Sequence, residues 1–439
     1  MIQRKILHNS IQNIILISFD SLRSDYIENL KDDFAPTFQL MRDKGVFFKN
    51  AIVQAPFTIP SHFSMLTGLY PAKTGVRDMH HQLPADVPSI FEILQKEGIL
   101  TFSFASTPML KSRKIKGIDK ELRLTAKKFT QTINQFRDKQ FFAFLHSWDT
   151  HTPYNTWLPF KKPIDLLLNF LKLFKVFKCL PGGERYTDLV DLRIIERIRA
   201  LVKTGDPLIF NAIRKGYLSS IGIADQFLNK LLKTVQKTGI LEKTLFIIMG
   251  DHGDSFNEHD EIHRQSDARY EHGHFLYDNI LRIPLIFYSP YTVIKKIYEE
   301  QVQLIDIVPT IFEAYGITYN GNLDGVSLWR ELTHPNSVPE RKYAFSEVIR
   351  ESRGIELRCI RSNTTKLIID YKSNNYELYN LSDDPEEQNN IWPNDSHDEK
   401  NAMLKELFQF SKIATTESHK STDADQKQIE NVLKSLGYM

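Results

Sequence analysis

Cysteine is nearly absent: the 439 residues include two, Cys179 and Cys359. Two thiols cannot make a disulfide framework, so the fold must rest on core packing, and a reducing compartment suits such a chain. Net charge is also almost absent, at +2 from 56 basic and 54 acidic residues. No bulk field calls for nucleic acid or an anionic membrane, so no nucleic-acid partner is expected. Long apolar runs are missing as well. None reaches the roughly eighteen residues of a membrane span. Met1 to Asn13 holds no apolar signal segment. Together these absences predict a cytoplasmic protein without a transmembrane segment. No internal repeat is found, which excludes a repeat architecture. The chain has 41% apolar residues, enough for a large core in one big domain, or in one big and one small.

Three stretches carry the chemistry. The first runs from Ala55 to Gly68 through Thr58, Pro60, Ser61 and His62. It begins as a loop and continues as a helix. Pro60 suits a first helical turn, Thr58 is expected at or just before the N-cap, and Gly68 followed by Pro71 is a stop. A hydroxyl there faces free backbone N–H groups and the positive end of the helix dipole, a ready site for a tetrahedral anion. The second stretch, Ile14 to Phe19, is an almost continuous apolar strand followed at once by Asp20. The third, Leu245 to Met249, leads through Gly250 into Asp251 and His252. Ligands of a parallel sheet sit beyond the carboxyl ends of its strands, so Asp20, Asp251 and His252 are expected to converge on the loop of Thr58. Asp, Asp, His and a threonine oxygen make a divalent-cation site, and histidine among the ligands favours Zn²⁺ or Mn²⁺ over Ca²⁺.

At these residues the chain resembles the sulfatase family of the alkaline phosphatase superfamily. The likeness covers residues 13 to 392 and includes Thr58-x-Pro60-Ser61, Asp251-His252-Gly253, the run His272 to Asp278, Asp306-x-x-Pro309-Thr310 and the ending Tyr376 to Glu386. It implies an α/β fold, an alkaline-phosphatase-like, mixed and mostly parallel sheet flanked by helices, with a small C-terminal antiparallel subdomain. It implies metal-dependent cleavage of a sulfate or phosphate ester. It equates His151 with the histidine that faces the leaving-group oxygen. It also places His272 where many sulfatases have a lysine that binds the ester. Arg23, His62 and His274 are the expected substrate contacts, and His146 is taken as structural. The order Asp20, Thr58, Asp149, His151, Asp251, His252, His272 also resembles that of two-metal phosphodiesterases, which implies a second metal site at Asp149, His151 and His272.

The chain departs from the family pattern at three positions. Ser21 stands where a second ligating aspartate is common. Thr58 stands where the family converts cysteine or serine into formylglycine, and His62 replaces the arginine of that motif. Threonine carries a β-methyl and cannot yield the aldehyde, so no formylglycine is expected. Metal coordination can instead turn the Thr58 hydroxyl into an alkoxide, by the effect that lowers the pKa of bound water from about 15.7 to about 7. His151, with His272, then protonates the leaving oxygen, and water cleaves the Thr58 ester.

The catalytic domain is expected over residues 1–340, with a helical insertion at 157–212. A small C-terminal α+β subdomain follows over 341–395, then a polar tail with helices over 396–439. Within the insertion, 163–180 is an apolar helix with Lys172, Lys175 and Lys178 on one side. It reads as a lid or packing helix, with membrane-surface or partner contact as the alternative. The long helix before Asp251 is expected over Tyr217 to Gly239, and the tail helices over 400–412 and 425–436. Two other functions stay open: a phospho-group transferase or phosphodiesterase of the same superfamily, and a non-catalytic binding protein on this fold. The expected partner is a small ester, with a sugar- or lipid-linked one open, as is a homo-oligomer.

Overall fold

The computed structural model describes residues 11–30, 34–105, 115–152, 154, 202, 205–259, 272–393 and 399–417. The helix expected at 163–180 and the one at 425–436 lie outside the described residues. Among the described residues, twelve strands form two sheets. In chain order they are β1 (Asn13–Phe19), β2 (Val46–Ile52), β3 (Leu100–Ala105), β4 (Lys120–Arg123), β5 (Phe141–Ser147), β6 (Thr244–Gly250), β7 (Arg282–Tyr288), β8 (Lys296–Gln303), β9 (Ala344–Arg350), β10 (Ile355–Arg361), β11 (Thr365–Asp370) and β12 (Asn375–Asn380).

The large sheet has the order β4-β3-β5-β1-β6-β7-β2-β8. Its pairings are parallel except those of β7, which runs antiparallel to both β6 and β2. The central strands are apolar on both faces because both faces are covered. Along β1, Ile14 and Leu16 enter one core, while Ile15, Ile17 and Phe19 enter the other. The same alternation sends Phe142 and Phe144 of β5 one way and Phe141, Ala143 and Leu145 the other. Helices Thr58–Thr67, Ile90–Lys96 and Ile307–Tyr315 cover the first face, through residues such as Met65, Phe91 and Ile311. Helices Pro36–Lys44, Ala126–Phe136 and Pro207–Lys237 cover the second, through Phe38, Phe129 and Tyr217.

Two helices differ from the sequence reading. The long one starts at Pro207, not Tyr217, because Asp206 caps it by accepting from the Leu208 N–H. Residues 207–212, read as the end of an insertion, therefore belong to this helix. The tail helix runs Lys400–Glu417, beyond 412. Its Met403, Leu404, Leu407 and Phe408 pack on Ile360, Leu367, Ile369 and Leu378 of the small sheet. That sheet is antiparallel, in the order β12-β11-β10-β9, and its other face joins the main core through Cys359, Ile368 and Tyr379. Among the described residues no helix is long and apolar enough to cross a membrane.

The two sheets are locked by a buried ionic network. Arg361 grips Asp278 at 2.9–3.2 Å, and Lys366 lies 2.8 Å from Asp278 and 2.7 Å from Glu387. Glu387 also accepts from the Asp278 N–H at 2.6 Å. Burial raises the Glu387 carboxyl from its ordinary 4.5 to about 7, against the pull of Lys366. A carboxyl raised on folding stabilises the fold below its unfolded pKa and loses that contribution as pH climbs through the folded value. Stability carried by Glu387 should therefore fall between about pH 4.5 and about 7. Denaturant titrations across this window should show the fall in the wild type and its loss in Glu387→Gln. Lys366→Met strands the buried Glu387 and leaves Asp278 with Arg361 alone, and the same titrations should show a loss of about 3–5 kcal/mol.

Candidate active site

β5, β1 and β6 are neighbours, so their carboxyl ends lie side by side. Each ends in a polar residue that the sheet aims at one pocket. Asp20 follows β1, Asp251 and His252 follow β6, and His146 is the penultimate residue of β5. His146 pairs in register with Ser18. Both share the parity of Leu16 and Phe144, so both face the helix Thr58–Thr67. That helix brings His62, whose Nε2 lies 2.9 Å from the Ser18 hydroxyl. Asp20, His62, His146, Asp251 and His252 are all fully buried.

The turns on either side are tightly specified. Ser21 takes a left-handed φ of 63°, costly for a residue with a side chain. In that position its N–H donates to Asp251 Oδ1 and its hydroxyl to Asp20 Oδ1, both at 3.0 Å. Ser21 thus braces both carboxylates where the family commonly has a ligating aspartate. A Cβ on Gly253 would meet the Asn279 carbonyl oxygen at 2.0 Å, so only glycine fits after His252.

The donor set fits a cation. The His252 ring holds the Gly253 carbonyl at 2.7 Å through Nδ1, which fixes the proton there and leaves Nε2 as a lone pair. Burial, then His272, push this imidazole down to about 3, so it is neutral near neutral pH. Its Nε2 lies 3.2 Å from Thr58 Oγ1, 3.5 Å from Asp20 Oδ1 and 3.6 Å from Asp251 Oδ2. Asp251 Oδ2 is buried and has no hydrogen-bond partner. A lone pair and two carboxylate oxygens facing one point repel unless a positive charge sits among them. Burial, then Asp20, push Asp251 well above the usual carboxylate range. Burial pushes Asp20 up as well, but His151, His146 and His252 together hold it well below that range. Asp20, Asp251 and His252 are the residues that would hold a divalent ion, with Thr58 at its edge.

Thr58 is the first residue of its helix, not the cap; that place is held by Phe57. Its hydroxyl is therefore turned to His252 instead of capping. Outward from Thr58 the pocket opens onto two half-buried histidines. His272 lies against His252, with ring centres 4.1 Å apart, and His151 lies 5.4 Å from His272. His151 is stacked on Trp148, and its Nδ1 is 2.6 Å from the Thr152 carbonyl, so Nε2 is left for a ligand. His272 Nδ1 lies 3.3 Å from Asp254 Oδ1, and Tyr154 donates to the other oxygen of Asp254 at 2.5 Å. Asp254 and Tyr154 have no assigned role in the sequence reading. The signal for Asp254 was present in the spacing Asp251-x-x-Asp254.

Three expectations are corrected. The expected second metal group of Asp149, His151 and His272 is not assembled: Asp149 accepts from the Ser147 hydroxyl at 2.7 Å instead. Arg23 is buried and committed to Asp25 and Glu258 at 2.6–3.0 Å and to the Asp254 carbonyl, so it is no substrate contact. His62 is also fully buried, turned inward to the Ser18 hydroxyl of β1, so it is no substrate contact. His146, read as structural, lies in the pocket with Nε2 3.3 Å from Asp20 Oδ2. Its signal was that of Asp20 and Asp251, a polar residue ending an apolar strand. His274 stays at the rim, where its Nε2 lies 3.0 Å from Arg353 of the small-sheet region. His259 stacks on Tyr277 at 3.7 Å.

Known proteins share this framework. Residues 12–317 match the family described as Sulfatase, and residues 267–413 match N-sulphoglucosamine sulphohydrolase, C-terminal. Arylsulfatase K of Gallus gallus is 23% identical over 485 aligned positions, covering 98% of this chain and 88% of that protein. One solved structure, of a protein in complex with its substrate D-glucosamine-2-N,6-O-disulfate, superposes with a TM-score of 0.73 at 19% identity, over 93% of this chain and all of that one. The phosphonate monoester hydrolase of Agrobacterium radiobacter superposes with a TM-score of 0.66 at 17% identity, over 92% of this chain and 96% of that one. The motifs expected to carry the resemblance lie within the matched stretches, and the chain belongs to the sulfatase family, a family of sulfuric ester hydrolases.

Proposed function

We propose that this member is a metal-dependent hydrolase that cleaves a sulfate or phosphate ester through a covalent ester on Thr58. The observation that carries the reading is the position of the Thr58 hydroxyl, 3.2 Å from the unprotonated Nε2 of His252 and beside Asp20 and Asp251. A divalent ion held there, Zn²⁺ or Mn²⁺ by its donor set, would lower the hydroxyl's pKa and draw charge from the ester oxygens. Thr58 is taken to act unmodified, because its β-methyl bars the aldehyde that serves other members.

The residues divide the work. Thr58 gives up its hydroxyl proton to water, and its Oγ1 attacks sulfur or phosphorus in line, forming the new O–S or O–P bond as the bond to the leaving oxygen breaks. The free N–H groups at the helix N-terminus favour the anionic group being transferred. His272, oriented through Nδ1 by Asp254, gives its Nε2 proton to the leaving oxygen, with His151 beside it. Water then attacks the Thr58 ester, the inorganic anion leaves, and Thr58 recovers its hydroxyl. The inner wall is buried while His151 and His272 are half-buried, so the ester enters from the histidine side. A sugar-linked ester is the favoured substrate, since a structural relative was solved with a sulfated glucosamine. A phosphoester stays the second reading, because the relatives also include a phosphonate monoester hydrolase.

An assay with aryl sulfate, phosphate monoester and phosphodiester sets the substrate. On the best of these, Thr58→Ala should lose at least about 10³-fold in kcat. Full turnover by the variant would remove Thr58 from the chemistry. Intact-mass analysis of quenched wild type should show one sulfuryl or phosphoryl group on the Thr58 peptide.

Asp254→Asn tests the orientation of His272. Its kcat should fall about 10²–10⁴-fold with KM little changed. A substrate with a good leaving group, which needs no proton, should recover most of the loss. A loss equal for good and poor leaving groups would deny His272 the acid role.

A further inference from the structure

The carboxylate Asp251 belongs to two groups of donors, not one. Within each group the ligand atoms lie within 4.8 Å of one another: Asp20, Asp251 and His252 form the first, and His62, His146 and Asp251 the second. The second lies on the inner side, under the helix that carries Thr58. Its three side chains are fully buried. His62 Nδ1 and His146 Nε2 stand 3.8 and 3.9 Å from Asp251 Oδ2. These separations are too long for hydrogen bonds, whose upper range is about 3.2 Å. Two bonds of about 2.0–2.1 Å span at most about 4.1 Å, so both pairs can share one ion at a wider angle than a regular tetrahedron's, whose neighbouring ligands stand about 3.3 Å apart.

Hydrogen bonding elsewhere sets these atoms up as ligands. Asp251 Oδ1 is saturated by the N–H groups of Ser21 and His252 at 3.0 Å, which leaves Oδ2 bare. His62 turns Nε2 to the Ser18 hydroxyl, and its Nδ1 has no hydrogen-bond partner. A metal-bound imidazole is commonly oriented in this way by a partner on its other nitrogen. Among the described residues, the ion-pair partners of Asp20 and Asp251 are histidines alone. Arg23, the nearest arginine in sequence, is spent on Asp25 and Glu258. Among the described residues no fixed cationic side chain pairs with these two buried carboxylates, whose charge is costly unless compensated.

We propose that His62, His146 and Asp251 bind a second divalent cation, a first-row transition ion of the Zn²⁺ type, bridged through Asp251 to the ion of the active site. Two imidazoles and one carboxylate are a zinc donor set and a poor one for Ca²⁺ or Mg²⁺. Its place under the helix makes it a structural ion that fixes Asp251 and supplies the positive charge the family's arginine would otherwise bring. The inference rests on the proposed function only through the shared Asp251.

The test is metal content, read without reference to turnover. The full chain, stripped with a chelator and titrated with Zn²⁺, should take up about two equivalents by mass spectrometry. His62→Gln and His146→Gln should each retain about one. Asp20→Asn should also retain about one, and that ion should survive in the presence of excess Mg²⁺. Crystals of wild type grown with Zn²⁺ should give an anomalous peak between His62, His146 and Asp251, which settles the matter if the variants fail to fold. A single equivalent in wild type, or no anomalous peak at that point, overturns the second ion and leaves the first untouched. Loss of the Asp20–His252 ion with the inner one retained would instead count against the proposed function alone.

Discussion

The structure is organised by the burial of two carboxylates that face the same point. Asp20 and Asp251 end adjacent parallel strands, and strand register alone places them side by side. Moving a carboxylate from water to the interior costs several kcal/mol even after relaxation, comparable to the whole stability of many domains. The fold meets that cost with directed groups, not with chance contacts. Ser21 accepts a left-handed backbone so that its N–H and hydroxyl reach one oxygen of each carboxylate. Histidines fill the remaining directions. The imidazole of His252, pushed down by burial, satisfies geometry but not charge, and the proposed cation would supply what it lacks.

The same constraint explains why the small sheet matters to the site. His272 reaches the pocket from a segment that ends at Asp278, and Asp278 is pinned by Arg361, Lys366 and Glu387. Arg350 of β9 approaches the Gly273 carbonyl and lies over the Phe57 ring, directly before Thr58. The antiparallel sheet therefore holds both the Thr58 loop and the His272 loop from one side. A catalytic sheet lacking this neighbour would keep Asp20, Asp251 and His252 but not the placement of His272.

Much of the architecture was legible because the strands are so apolar. Ile14 to Phe19 and Leu245 to Met249 announce buried parallel strands, and a carboxylate right after each announces a site. The motif order then gave the family. What sequence reasoning missed shares one cause: each depends on a direction that one-dimensional spacing does not encode. His146 was hidden because parity along β5 decides which face it meets, and that face is known only once Ser18 lies opposite. Arg23 looked free for an anion because Glu258, its partner, is far away in sequence. His62 looked accessible because the helix sense that buries it is set by packing against Phe144. The Asp149 group failed for a local reason, a two-residue hydrogen bond with Ser147 that turns the carboxylate aside.

The substitutions at Thr58 and His62 are best understood together. An arginine at position 62 would bring a permanent charge beneath the helix, and such a charge neutralises the carboxylates without any ion. Histidine removes that charge and offers a lone pair in its place. Under the proposed function, the pocket would draw its positive charge from bound cations beside the hydroxyl at position 58. A threonine hydroxyl is a weak nucleophile and gains most from such a field, whereas its β-methyl closes the route through an aldehyde. Under the proposed function the two replacements push in one direction: away from a modified side chain over a fixed guanidinium, toward an unmodified alcohol over a metal-dependent histidine pocket.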